Sequence, residues 1–150
     1  MAPSSKEESY SVFFADSTGV IGKVLPYPSR INQMIGYDTY RNFSKYKGKV
    51  YYHRSFTDTV YTFEALQAIP SYVISFKDKH LGADFTTTYN GESFLNYATT
   101  NEYPFIRHTF QSDKYLFSLY NHPQKGLAFS CLKKNKKNNK KLQHYAMLLF

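Results

Sequence analysis

Between positions 37 and 54 the chain places aromatic rings at Tyr37, Tyr40, Phe43 and Tyr46, every third residue, and then a pair at Tyr51 and Tyr52. Among them stand Arg41, Lys45, Lys47, Lys49 and Arg54, with Asp38 the one acid of the stretch. Rings supply apolar area and flat faces for stacking. Ammonium and guanidinium groups attract carboxylates and phosphates. The chemistry this combination can do is recognition: the cations meet anionic groups while Tyr40, Phe43 and Tyr46 stack or pack on the partner. The same residues also fit a second arrangement, in which the rings point into the domain and the cations form a solvated face. A second basic segment, 133–141, holds Lys133, Lys134, Lys136, Lys137, Lys140 and Lys141, separated only by asparagines. A block of like charge repels itself and is expected to form a loop that touches an anionic surface or stays in solvent.

Residues that could carry catalysis are scattered. The five histidines, His53, His80, His108, His122 and His144, are never closer than 14 positions. Cys131 has no second cysteine to pair with. No metal-ligand spacing is present, so neither a metal nor any other cofactor is expected. His53-Arg54-Ser55 has the His-x-Ser spacing and resembles one of the two motifs of the 2H phosphoesterase family. That resemblance implies a phosphodiesterase in which two imidazoles flank the phosphodiester as base and acid, with His108 as the second. Arg54 and Arg107 would suit the phosphate. The chain departs from the pattern at the second motif, His108-Thr109-Phe110, which has Phe where a hydroxyl residue belongs. Gly19-Val-Ile-Gly22-Lys23-Val24 falls short of a phosphate-binding loop, which needs four residues between its glycines and Ser or Thr after the lysine. Cys131 lies in an apolar run and reads as a buried, inert thiol.

The totals narrow the class. At 150 residues the chain fits one domain that buries a sizeable core. Tyr 15 and Phe 13 against no Trp mean that rings carry much of the packing. Net charge is +8, yet the stretch 37–54 holds +4 and the tract 133–141 holds +6, which leaves the remainder at −2. Positive charge confined to two places favours an anionic partner, an acidic protein surface, nucleic acid or anionic lipid, and of these an anionic macromolecule (acidic protein surface or nucleic acid) is the expectation. A lone cysteine and the absence of an N-terminal apolar run point to a reducing, intracellular setting without a signal peptide. No apolar run is long enough for a membrane-spanning helix.

The elements that must position these residues are mostly strands. β-rich runs at 10–15, 20–25, 50–54, 59–63, 72–76, 85–89, 105–110, 114–120 and 127–132 alternate with Gly, Pro and Asn turn signals. The third-residue ring spacing over 37–46 fits neither the helix nor the strand period, and that stretch reads as an extended or irregular segment lying across a surface. Short helices are expected at 29–36 and 64–69, the second capped by Thr62 and stopped by Pro70, and 93–98 reads as a helical turn or a strand. The fold class is therefore mainly β or α+β, with an antiparallel sheet or small barrel of about seven strands and two or three short helices. The expected organisation is a loose N-terminus at 1–9, a globular body at 10–132, the Lys/Asn loop at 133–141 and an apolar segment at 142–150. Leu142, Tyr145, Ala146 and Leu149 share one helical face there, so this last segment is expected as a helix docked on its own domain or on a partner. The function that follows is a non-enzymatic binding or assembly protein, such as an accessory subunit of a larger complex. An RNA- or DNA-binding domain is the alternative within binding, and the two-histidine phosphodiesterase is the alternative outside it.

Overall fold

The computed structural model describes residues 9–27, 42–53, 57–74, 91–101, 103–122, 126–134, 141–142 and 147–149. Among them are nine strands of four residues or more, two short strands and one helix: β1 (Ser9–Asp16), β2 (Gly19–Tyr27), β3 (Phe43–Tyr46), β4 (Lys49–His53), β5 (Thr59–Glu64), β6 (Gln67–Ile74), α1 (Gly91–Thr100), β7 (Phe105–Gln111), β8 (Tyr115–His122), β9 (Gly126–Lys133), β10 (Lys141–Leu142) and β11 (Met147–Leu149). They form a two-stranded hairpin β1-β2, a five-stranded sheet in the order β10-β6-β5-β4-β3, and a four-stranded sheet in the order β11-β9-β8-β7. Pairing is antiparallel throughout, except that β10 runs parallel to β6.

The two larger sheets pack face to face. Tyr51, Val60 and Ile74 from one meet Ile106, Leu116 and Leu132 from the other in a single buried cluster. Alternation along each strand produces this: Leu116, Ser118 and Tyr120 point inward on β8, while Phe117 and Leu119 point out. The hairpin adds a third layer on the outer side of the five-stranded sheet. There Phe14 meets Phe63 edge-on at 5.6 Å, and a Cβ added at Gly22 would lie 3.6 Å from Leu66. Tyr52, only 4 % exposed, is held on that side between Phe43 and Phe63.

Several expectations are corrected here. The sheets are open, so the seven-strand barrel is not what forms, and the described residues hold one helix instead of two or three. Residues 64–69 do not form the expected helix. Ala65 and Leu66 take left-handed φ of 47° and 61°, closing a tight hairpin between β5 and β6. Thr62 does not cap a helix; its hydroxyl donates to the carbonyl of Val50 at 3.1 Å. Pro70 stands inside β6, opposite Tyr61 beside a register shift, where a missing N–H is tolerated. Residues 43–46 are a regular edge strand whose side chains alternate between exposed and half-buried. The segment expected as a C-terminal helix contributes strands at Lys141–Leu142 and Met147–Leu149. Residues 91–100 are helical, with Glu92 in the first turn, where a negative charge complements the helix dipole. The expected helix at 29–36 and the strand at 85–89 lie outside the described residues.

Candidate functional site

Four chain segments arrive at the same end of the two packed sheets: the turn at 47–48, the turn at 65–66, the turn at 112–114, and the end of β9 at Lys133 and Lys134. The first is a two-residue hairpin turn in which Lys47 (φ 48°) and Gly48 (φ 77°) both sit in the left-handed region that this turn type demands. It puts Lys47 at the tip and turns Tyr46 inward against the core. The third brings Asp113 up to meet both. The Tyr46 hydroxyl donates to the Asp113 carboxylate, and the Lys47 ammonium pairs with the same oxygen. These hydrogen bonds, that from Lys47 foremost, hold the Asp113 carboxyl below the usual aspartate range, and the carboxylate in turn raises Lys47.

Lys134 enters from the opposite sheet. Its ammonium lies 4.8 Å from the Tyr46 ring centroid and 5.5 Å from that of Tyr72, and it donates to the Gln111 side-chain oxygen and to the Ser112 carbonyl at 2.8 Å. The Tyr72 hydroxyl reaches the same Gln111 oxygen at 3.1 Å. Burial lowers the Lys134 amine and raises the Tyr72 phenol. Cation–ring contacts of this kind are worth roughly 0.5–2 kcal/mol, rising with desolvation. Two stretches about ninety positions apart in the sequence are thereby joined through one aromatic–cation cluster. Around it, Lys49 pairs with Glu64 at 3.2 Å on the surface, while Lys114 and Lys133 are exposed and enter no ion pair among the described residues.

The residues singled out in the sequence fall into three groups. Tyr46, Lys47, Lys49, Lys133 and Lys134 converge at this end. Phe43 and Lys45 do not: they face outward on β3, on the far side of the five-stranded sheet, with Phe43 against Tyr52 at 4.8 Å. Tyr40, Arg41, Arg54, Ser55, Lys136, Lys137 and Lys140 lie outside the described residues, and of Lys141 only the strand position is described. Tyr72, Gln111, Asp113 and Lys114 belong to the cluster and were not anticipated. The turn signal at 111–113 located their segment, but no local pattern says which distant lysine a turn aspartate will meet.

The two-histidine site does not assemble. His53 is fully buried between the sheets, its Nε2 2.9 Å from the Ile106 carbonyl oxygen. His108 projects from the outer face of the four-stranded sheet and packs on Phe110 at 5.9 Å. A sheet separates the two rings, so they cannot flank one phosphodiester. Gly19 opens β2 with φ 130°, and the glycine pair around it belongs to the hairpin. Cys131 is a half-buried free thiol on the outer side of β9. Among the described residues, no three His, Cys, Asp or Glu side chains lie together in a way that could hold a metal ion, and no helix is long and apolar enough to cross a membrane.

That outer side of the four-stranded sheet carries a second feature. Phe110 on β7, Phe117 on β8 and Phe129 on β9 stand next to one another across three neighbouring strands, with centroids 4.9 Å and 5.7 Å apart and planes inclined by 16° and 24°. Tyr115 flanks Phe117 at 6.2 Å. Phe110 is 41 % exposed and Leu127 50 %.

No family model matches this chain, and no curated protein or solved structure matches it either.

Proposed function

We propose that this protein is a non-enzymatic binding or assembly module that grips an anionic macromolecule through the basic end of its two packed sheets, in the manner of an accessory subunit of a larger complex. One observation supports the reading above the others. Lys47 and Lys134, from the two basic segments, flank the same Tyr46 ring at 5.5 Å and 4.8 Å. Among the described residues of the four converging segments and their flanks, five lysines (Lys47, Lys49, Lys114, Lys133 and Lys134) stand against two carboxylates, Glu64 and Asp113. The two ion pairs use both carboxylates and leave three cations in excess. Lys141, the last lysine of the second tract, pairs through β10 with Val73 at the opposite end of β6 and adds nothing to this surplus. A local surplus of this kind raises the concentration of an anionic partner and steers its approach.

The test is a titration of the full chain with a labelled polyglutamate peptide and with a random-sequence RNA, at about 50 and 200 mM salt. The reading expects at least one to bind, with affinity falling steeply as salt rises. The triple variant Lys114→Gln/Lys133→Gln/Lys134→Gln should lower both the affinity and its salt dependence. Absence of any salt-sensitive complex with either polyanion refutes the reading.

A further inference from the structure

We propose that the outer face of the four-stranded sheet is a platform for single-stranded nucleic acid, its bases stacking on the exposed rings of Phe110 and Tyr115, which the half-buried Phe117 and Phe129 back, and its phosphates meeting Lys133 and Lys114; this deepens the preceding reading and rests on it.

The rings come from three adjacent strands and share one face, which follows from the register. Phe110 lies opposite Phe117, and Leu119 lies opposite both His108 and Phe129. Packing the two sheets together does not require them, because the inward positions of the same strands, such as Leu116, Tyr120 and Leu132, already fill the core. Phe110 and Tyr115 are the water-facing rings of this cluster, with Phe117 and Phe129 half-buried beside them, and exposed rings so backed are an apolar surface that wants a flat partner.

Charge selects which partner. The described outward positions of β7, β8 and β9 include no Asp or Glu, and Lys133 closes the face opposite Tyr115, beside exposed Lys114. A second copy of the chain laid on this face would oppose lysine to lysine and gain nothing from the charge. An acidic protein surface would satisfy the lysines and leave the rings without a stacking partner. A single strand of nucleic acid supplies both groups in every unit: a base with a flat face and a phosphate within reach of a neighbouring ammonium. Aromatic rings combined with a positively charged border are the means by which sequence-tolerant single-strand binding is achieved. The border here is continuous with the basic end described above, so one strand could lie on the rings and continue past Lys133.

The experiment measures fluorescence anisotropy of labelled twelve-nucleotide oligo-U and oligo-dT with the full chain, with a duplex of the same length and a polyglutamate peptide as comparisons. Phe110→Leu keeps apolar bulk at an exposed position and removes the flat face; Tyr115→Leu does the same at the next ring and serves if the first variant is unstable. Lys133→Gln removes one phosphate contact. The proposal expects single strands to bind better than the duplex or the peptide. Each ring variant should weaken binding roughly 5- to 150-fold with the salt slope unchanged, and Lys133→Gln should lower the slope by about 0.7. Ring variants that bind as tightly as the parent, while the lysine variants weaken, overturn the platform and leave the basic end intact. Polyglutamate bound as tightly as the oligonucleotides overturns the assignment to nucleic acid. Loss of both polyanions from the repertoire overturns the platform together with the reading it rests on.

Discussion

Ser118 and Ser130 provide the most direct test of the sandwich interior. They are directly opposed on β8 and β9, both are fully buried, and neither hydroxyl has a hydrogen-bond partner among the described residues. A buried hydroxyl left without a bond costs about 1–3 kcal/mol relative to its hydrated state in the unfolded chain. Replacing either serine by alanine removes that cost and gives up only the dispersion contacts of one oxygen atom. Ser118→Ala is therefore expected to raise stability by about 1 kcal/mol, the low end of that range after the lost contacts are subtracted, and Ser130→Ala to do the same. Because the two residues are neighbours, the double variant should depart from the sum of the singles. Urea unfolding should show a higher midpoint with an unchanged slope. The thermal midpoint should rise by about 2–4 °C per kcal/mol for a chain of this size. A core serine whose replacement lowers stability by 1 kcal/mol or more would refute the reasoning, since it would mean that a partner satisfies the hydroxyl.

Four further outcomes follow from the same geometry. Leu116→Ala, at a fully buried inward position, should cost about 2–5 kcal/mol in urea unfolding, while Leu119→Ala on the outer face of the same strand should cost clearly less; the reverse order would invert the assignment of faces. Ala65→Asn should raise stability by about 0.5–1 kcal/mol, because the turn holds Ala65 at φ 47°, a conformation that asparagine accepts more readily; a lower melting temperature would count against that turn. Asp113 is ionised in the folded chain at a pH where the unfolded chain has already taken up a proton, so its contribution is complete above the ordinary aspartate range and is lost as pH falls through the depressed folded value. Acid titration of stability should therefore show a shallower decline below about pH 4 for Asp113→Asn than for the parent, and the difference should shrink in high salt because the pair is exposed. Gly48→Ala should destabilise by about 1 kcal/mol through backbone strain alone, as its φ is 77° and no atom stands within 4 Å of the added carbon; an unchanged melt would contradict the turn geometry.

Strands that alternate cleanly between turn signals were legible in the sequence. Residues 105–132 announce three strands as apolar, ring-rich runs cut by Asp113 and Gly126, and the structure has β7, β8 and β9 there. What misled was competition between local and tertiary preferences. The run Glu64-Ala65-Leu66-Gln67 is rich in helix formers, yet strand pairing on both sides forces it into a hairpin tip. The aromatic spacing at 40, 43 and 46 suggested irregular chain because it mixes two faces: Phe43 turns outward against Tyr52, while Tyr46 turns inward against Asp113. Apart from Lys114, the lysines of the candidate site could be named in advance. Their meeting across two sheets could not, because it depends on the order of strands. The ring platform lay in plain view as Phe110, Phe117 and Phe129, but spacings of seven and twelve carry no signal until register places the three side by side.

The short strands at Lys141–Leu142 and Met147–Leu149 have a role out of proportion to their length. β10 pairs with β6 and β11 with β9, strands that would otherwise terminate their sheets with bare hydrogen-bonding rims. One short piece of chain therefore acts as a clasp on two margins at once. While the chain emerges from the ribosome, both margins stay open until residues 141–149 are released, and unguarded rims of this kind recruit strands from neighbouring molecules. A protein shortened after Lys134 should accordingly form soluble oligomers or fibrils at concentrations where the parent chain stays dispersed.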